Sequence, residues 1–436
     1  MITSSFALPT SEAVLPDNLP LASQAAYHVQ VIEHGNYIAY VSPLYTTFGD
    51  PSNYEVGPVN NGVAKLRLET TQGTFGCTGT LLDQTHVLTA AHCISDGSGN
   101  NILTGGSVYL SDGSSTITSN ILNSVKHPDY DGKFTKGNDV AVLTIETVSD
   151  SIVTHDINTS SSLISNTYEK YGYGLSGNGN TGTDSKTYPF GIERTVKNTY
   201  DDYADTMMTA LGETFVSQSV LQYDFDNGLD ANDAFGFFFN NHDVSTNSDS
   251  EGLSGPGDSG GPTLDSDGKV VGITSYGITL TYRNGDTSDI TKQGRNAKLD
   301  SSFGEFGADT NVALYSTWIQ NQLDGSSVIE PTPQPDPTST ATDAYVTYSS
   351  NKGRVQVTVD LFDESGENPA PVPNTSVTII FQSSLASSGS TTKITDDNGS
   401  VSWNFKGVPG GDYTTTVTHV DGKIWSGITH DPGFHK

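Results

Sequence analysis

Val87-Leu-Thr-Ala-Ala-His-Cys93 and Gly255-Pro-Gly-Asp-Ser-Gly-Gly-Pro262 are the two stretches on which the reading of this chain turns. Between them lie His127-Pro-Asp-Tyr130 and Asn138-Asp-Val-Ala-Val-Leu143, and Cys77-Thr-Gly-Thr-Leu-Leu precedes the first. Taken singly, each segment is ordinary. A lone His is a surface or core residue, a lone Asp at a strand start is a turn or cap, and a Gly-rich run around a Ser is a loop. In the order His, Asp, Ser they supply a base, an acid and a hydroxyl. Those are the groups that nucleophilic acyl transfer requires, because a serine hydroxyl attacks poorly until a base takes its proton.

Composition sets the frame. A length of 436 residues suggests two to three domains. Fifty acidic and 20 basic residues give a net charge of −30, which excludes a general nucleic-acid binder and opposes docking on anionic membranes. Hydrophobic residues are 34% of the chain, and 46 Gly among abundant Ser, Thr, Asn and Asp point to a turn-rich, mostly β protein. Two cysteines are too few for a disulfide scaffold or a Cys-ligated zinc site. No apolar run reaches the roughly 20 residues of a membrane span, so no membrane insertion is expected. Met1–Pro20 has neither the basic start nor the apolar core of a secretory signal. The remaining composition resembles that of secreted bacterial proteins, and a secreted, extracellular location is expected.

Punctuation divides the chain. Glu330-Pro-Thr-Pro-Gln-Pro-Asp-Pro-Thr-Ser-Thr-Ala-Thr342 reads as an extended spacer, placing a linker at 326–342. Residues 343–436 alternate in strand fashion at Arg354–Leu361, Ser376–Phe381, Ser400–Phe405 and Tyr413–Val420, with turns between, which suggests an immunoglobulin-like β-sandwich. This block carries 10 acidic and 6 basic residues, a net of −4, so −26 lies before it. Residues 1–55, with five prolines and no period, read as an N-terminal extension or pro-segment. Residues 56–325 form the main β-rich domain. Val312, Tyr315, Ile319 and Leu323 recur at helical spacing at its end, with Asp309-Thr310 as a cap candidate.

Over about 260 residues, Thr-Ala-Ala-His-Cys93 and Gly-Asp-Ser-Gly-Gly-Pro262 resemble the motifs of the chymotrypsin/trypsin-like serine peptidases, and the closing helix resembles the family's last one. The resemblance implies an all-β fold: two six-stranded antiparallel β-barrels with a C-terminal helix, beside the separate sandwich. It implies a secreted serine endopeptidase acting on polypeptide substrates, with Ser259 as nucleophile, His92 as base and then acid, and Asp139 orienting His92. The oxyanion hole falls to the backbone N–H groups of Gly257 and Ser259. Cys77 and Cys93 match a family disulfide; two buried free thiols are the alternative. The competing reading is an inactive peptidase-fold binding or adhesion protein.

Departures from the family bear on specificity and activation. Leu253 stands where trypsin-like relatives carry the Asp that binds Lys or Arg, and Thr274 where Glu-specific relatives carry a His. Leu253 and Ser254 are therefore expected to line a pocket for an apolar or small side chain, with Ser275-Tyr276-Gly277 pairing with the substrate backbone. No Ile-Val-Gly-Gly occurs to supply the freed N-terminus that pairs with the Asp before the nucleophile, here Asp258; Val59-Asn-Asn-Gly62 resembles it only superficially. No cofactor is implied. Asp224, Asp226, Asp230 and Asp233 admit Ca²⁺ or simply a solvated acidic loop, since the spacing is not that of the twelve-residue calcium loop. In the C-terminal block, Trp403, Tyr413 and Trp425 are either core residues or a carbohydrate-binding face, and the block is a candidate for cell-surface or matrix contact.

Overall fold

The computed structural model describes residues 30–42, 46–47, 49–160, 163–241, 250–291, 300–325 and, with short interruptions, 343–435. The linker expected at 326–342 lies outside the described residues, as does Trp425.

The chain begins as a hairpin, β1 (Gln30–His34) and β2 (Tyr37–Ser42), followed by the short β3 (Thr46–Thr47). Six strands then close into a barrel: β4 (Val63–Thr70), β5 (Gly73–Asp83), β6 (His86–Thr89), β7 (Leu103–Ser111), β8 (Thr116–Lys126) and β9 (Ala141–Ile145). Alternation builds it. Ala64, Leu66 and Leu68 are fully buried, while Lys65 and Arg67 between them face outward. The apolar β9 places Leu143 and Ile145 in the same core.

Ten further strands follow: β10 (Thr167–Gly172), β11 (Gly177–Asn178), β12 (Gly182–Thr183), β13 (Arg194–Thr199), β14 (Asp202–Tyr203), β15 (Val220–Phe225), β16 (Gly252–Leu253), β17 (Pro262–Leu264), β18 (Val270–Tyr282) and β19 (Glu305–Asn311). Six of them run in the order β13-β10-β17-β18-β19-β15, with β14 beyond and β2 and β1 added to β18, making a nine-stranded sheet. Among the described residues no ladder joins β13 to β15. Instead Asn198 Nδ2 on β13 donates to the Asp224 carbonyl on β15 (2.8 Å) and to the Gly252 carbonyl (3.1 Å).

Two sequence expectations change here. Residues 30–42 are part of this sheet rather than an appendage: Ile32, Ala39 and Val41 are buried with Met207, Phe235 and Ile278. The closing helix (Ser316–Leu323) buries Trp318 and Ile319 against Leu88, Val140 and Val142. However, Asp309 and Thr310 remain in β19, and Asn311 caps the preceding 3₁₀ turn by accepting from the Ala313 amide. No described helix is long and apolar enough to cross a membrane.

The C-terminal strands form two five-stranded sheets. Val355, Val357 and Trp403 from one share a core with Val377, Ile379, Phe381 and Tyr413 from the other, as in a β-sandwich. Trp403 and Tyr413 are thus core residues, each 3% exposed.

Candidate active site

His92 sits in a 3₁₀ turn, Ala91–Cys93, directly after β6. The turn is held from both sides: Ala90 and Ala91 are fully buried, and Cys93 is disulfide-bonded to Cys77 on β5. Asp139 lies at the entry to β9 and is fully buried. Its carboxylate takes three contacts. Oδ1 accepts from the His92 amide (2.9 Å), Oδ2 lies 2.7 Å from His92 Nδ1, and the Ser275 hydroxyl donates to Oδ2 (2.5 Å). The ring of Phe134 meets His92 edge-on, with centroids 5.2 Å apart.

Ser259 follows a tight loop. Gly257 and Gly260 have φ of +101° and +79°, and a Cβ on Gly260 would lie 2.0 Å from Thr89 Oγ1, so glycine is required there. Thr78 staples the loop to β5: its amide donates to the Ser259 carbonyl (2.9 Å) and its hydroxyl to the Gly257 carbonyl (2.8 Å). The amides of Asp258, Gly260 and Gly261 all donate to backbone carbonyls, whereas those of Gly257 and Ser259 have no acceptor among the described residues. The ring of Phe190 lies against Gly257.

The loop is anchored by Asp258, whose two carboxylate oxygens accept from the amides of Gly174 (2.7 Å) and Gly255 (3.0 Å). Burial pushes this carboxyl up to about 7, opposed by the Gly174 hydrogen bond and by the charges of Arg194 and Lys170. In this structure two backbone amides hold the Asp258 carboxylate. Arg194, 2% exposed, went unremarked in the sequence because nothing local marks it.

Among the described residues no hydrogen bond joins Ser259 to His92. His92 Nε2 is buried without a partner, and Ser259 is 3% exposed. Such bonds are often long without substrate and tighten when it binds.

The expected pocket residues are placed differently. Leu253 is fully buried with Tyr223, Phe225 and Phe303, because β16 pairs with β3 and turns Leu253 into the core. Ser254 is 2% exposed, its hydroxyl 2.8 Å from that of Tyr223. Ser275 spends its side chain on Asp139. The ring of Tyr276 is buried against Phe134. Gly277 is already paired with Ser42 of β2. His127 is a core residue between Tyr315 and Trp318, and burial lowers it to about 4.

Of the four aspartates considered for Ca²⁺, three accept from backbone amides and one is exposed. Asp224 accepts from the Phe235 amide, Asp226 from that of Gly228, and Asp233 caps a short helix by accepting from that of Gly236; Asp230 is exposed.

Residues 58–234 match the sequence model of the family described as Trypsin; the match includes His92 and Asp139 and ends before Ser259. Among solved structures, an HL collagenase is 20% identical, with 62% of this chain and 97% of that chain covered at a TM-score of 0.42. No curated protein matches the chain.

Proposed function

We propose that this chain, which carries a domain of the chymotrypsin/trypsin-like serine peptidase family, is a secreted endopeptidase that hydrolyses peptide bonds through His92, Asp139 and Ser259. The observation that carries this reading is the clasp of His92 by Asp139. With Nδ1 engaged at 2.7 Å and the backbone fixed at 2.9 Å, the ring turns Nε2 away from the carboxylate. In that state His92 takes the proton of Ser259 as its hydroxyl attacks the scissile carbonyl, and Asp139 stabilises the resulting imidazolium. The unused amides of Gly257 and Ser259 receive the oxyanion. His92 then protonates the leaving amine, and water repeats the sequence on the acyl-enzyme.

The disulfide supports an oxidising, extracellular setting. The C-terminal sandwich is a candidate for cell-surface or matrix contact.

The 3% exposure of Ser259 favours a second reading, an inactive peptidase-fold adhesion protein. A fluorophosphonate probe separates the two. Covalent labelling of the folded chain, before or after limited proteolysis, is expected and should vanish in Ser259→Ala. Absence of labelling in both samples would overturn the enzymatic reading.

A further inference from the structure

A second group of charged side chains is enclosed in the same domain. Asp289 follows the turn after β18, and Glu305 opens β19. They are 2% and 0% exposed, and Asp300 is partly covered. One carboxylate oxygen from each of the three lies within 4.8 Å of the other two. Glu305 thus stands in the interior with two aspartates beside it. A carboxylate is stable in such a place only when protonated, paired or bound to a metal.

Hydrogen bonds satisfy part of the cluster. Asp289 Oδ1 accepts from the Thr291 amide (2.8 Å) and the Ser302 hydroxyl (2.9 Å). Glu305 accepts from the Thr279 hydroxyl (2.5 Å) and the Ser301 amide (2.6 Å). Asp289 Oδ2 is different: it is buried and has no partner. A buried carboxylate with one oxygen left without a donor, in a group of three carboxylates, calls for a positive ligand.

We propose that Asp289, Asp300 and Glu305 form a Ca²⁺ site. Ca²⁺ binds oxygen at about 2.3–2.6 Å, so two oxygens on one ion stand at most about 5 Å apart, which accommodates the observed cluster. Mg²⁺ binds at about 2.0–2.1 Å and demands near-ideal octahedral geometry, whereas Ca²⁺ tolerates irregular oxygen sets such as this one. The ion would also brace the peptidase part. The Ser301 hydroxyl donates to the Ser254 carbonyl (3.4 Å), five residues before Ser259, while the Ser301 amide holds Glu305. Lys292, Arg295 and Lys298, which lie outside the described residues, are the rival source of positive charge.

Chelator-treated full chain, titrated with CaCl₂ alone, tests the site by calorimetry and thermal melting. Uptake of Ca²⁺ is expected, with a rise of about 5 °C in melting temperature at a hundredfold excess over Kd. MgCl₂ at equal ionic strength should shift melting far less. Asp289→Asn and Glu305→Gln should each weaken Ca²⁺ at least about tenfold. Asp300→Asn, at the partly exposed position, should do the same if the buried variants fail to fold. Three results overturn the proposal: equal effects of Ca²⁺ and Mg²⁺, undiminished affinity in Asp300→Asn, or no uptake by the wild type. In the last case, uptake by a Lys292→Ala/Arg295→Ala/Lys298→Ala variant would assign the counter-charge to those residues.

Discussion

Asp139 is the most heavily constrained carboxylate at the candidate site, and its third partner gives the sharpest residue-level test. Ser275 is 136 positions away in sequence yet donates to the same oxygen that faces His92. Replacing it with Ala leaves Asp139 Oδ2 buried with one donor fewer, a loss of about 1–3 kcal/mol. We expect Ser275→Ala to lower kcat about tenfold or more with little change in KM, because the hydroxyl touches Asp139 rather than substrate. Asp139→Asn should be far worse, about 10⁴-fold in kcat, since an amide presents the wrong hydrogen-bonding pattern to His92. Steady-state kinetics on a peptide substrate read out both. An unchanged kcat in Ser275→Ala would separate Ser275 from the proposed triad.

Elements carry the histidine as well as residues do. Cys77 on β5 and Cys93 in the His92 turn are 16 positions apart and close a loop across the first barrel. In the chain-entropy account a loop of this size is worth about 3 kcal/mol. The double substitution Cys77→Ser/Cys93→Ser should therefore lower unfolding stability by about that amount in urea titrations. It should also lower kcat, because the turn loses one anchor. A stability change under about 1 kcal/mol would show that the barrel holds the turn without the bond. The same scale shows what sequence reading reaches. The barrel strand β9 was legible because its apolar run needs no partner to be recognised, and His92, Asp139 and Ser259 were legible because short motifs mark them. The docking of β2 on β18 was not. Its residues alternate weakly, and the partner strand lies about 240 positions later, so only tertiary pairing reveals that Gly277 is occupied. Leu253 was misplaced for the same reason: β3, which turns it inward, is two residues long. The Asp289, Asp300 and Glu305 group was missed because its members are spaced like ordinary loop acids and converge only in the fold.

Across the whole molecule the net charge of −30 is less telling than where some of the carboxylates sit. Asp202, Asp224, Asp258, Asp289, Glu193 and Glu305 are all raised above the ordinary range, in every case chiefly by burial, and Asp258 reaches about 7. An acid with a raised value in the fold binds its proton more tightly folded than unfolded. Its contribution to stability is complete below the unfolded value, about 4, and is lost as pH rises through the folded value. His127, lowered to about 4 by burial, acts oppositely: it favours unfolding as pH falls from about 6.5. Below about pH 4, exposed carboxylates such as Asp96 and Asp112, lowered by hydrogen bonds, also turn against the fold. Between these limits six acids oppose one histidine. The chain in Ca²⁺-free buffer should therefore melt several degrees higher at pH 5 than at pH 8, the reverse of a protein whose carboxylates are mostly ion-paired. Calorimetric scans from pH 8 to pH 5 check this. A flat or falling melting temperature would mean that the buried acids are already neutralised by cations in the fold.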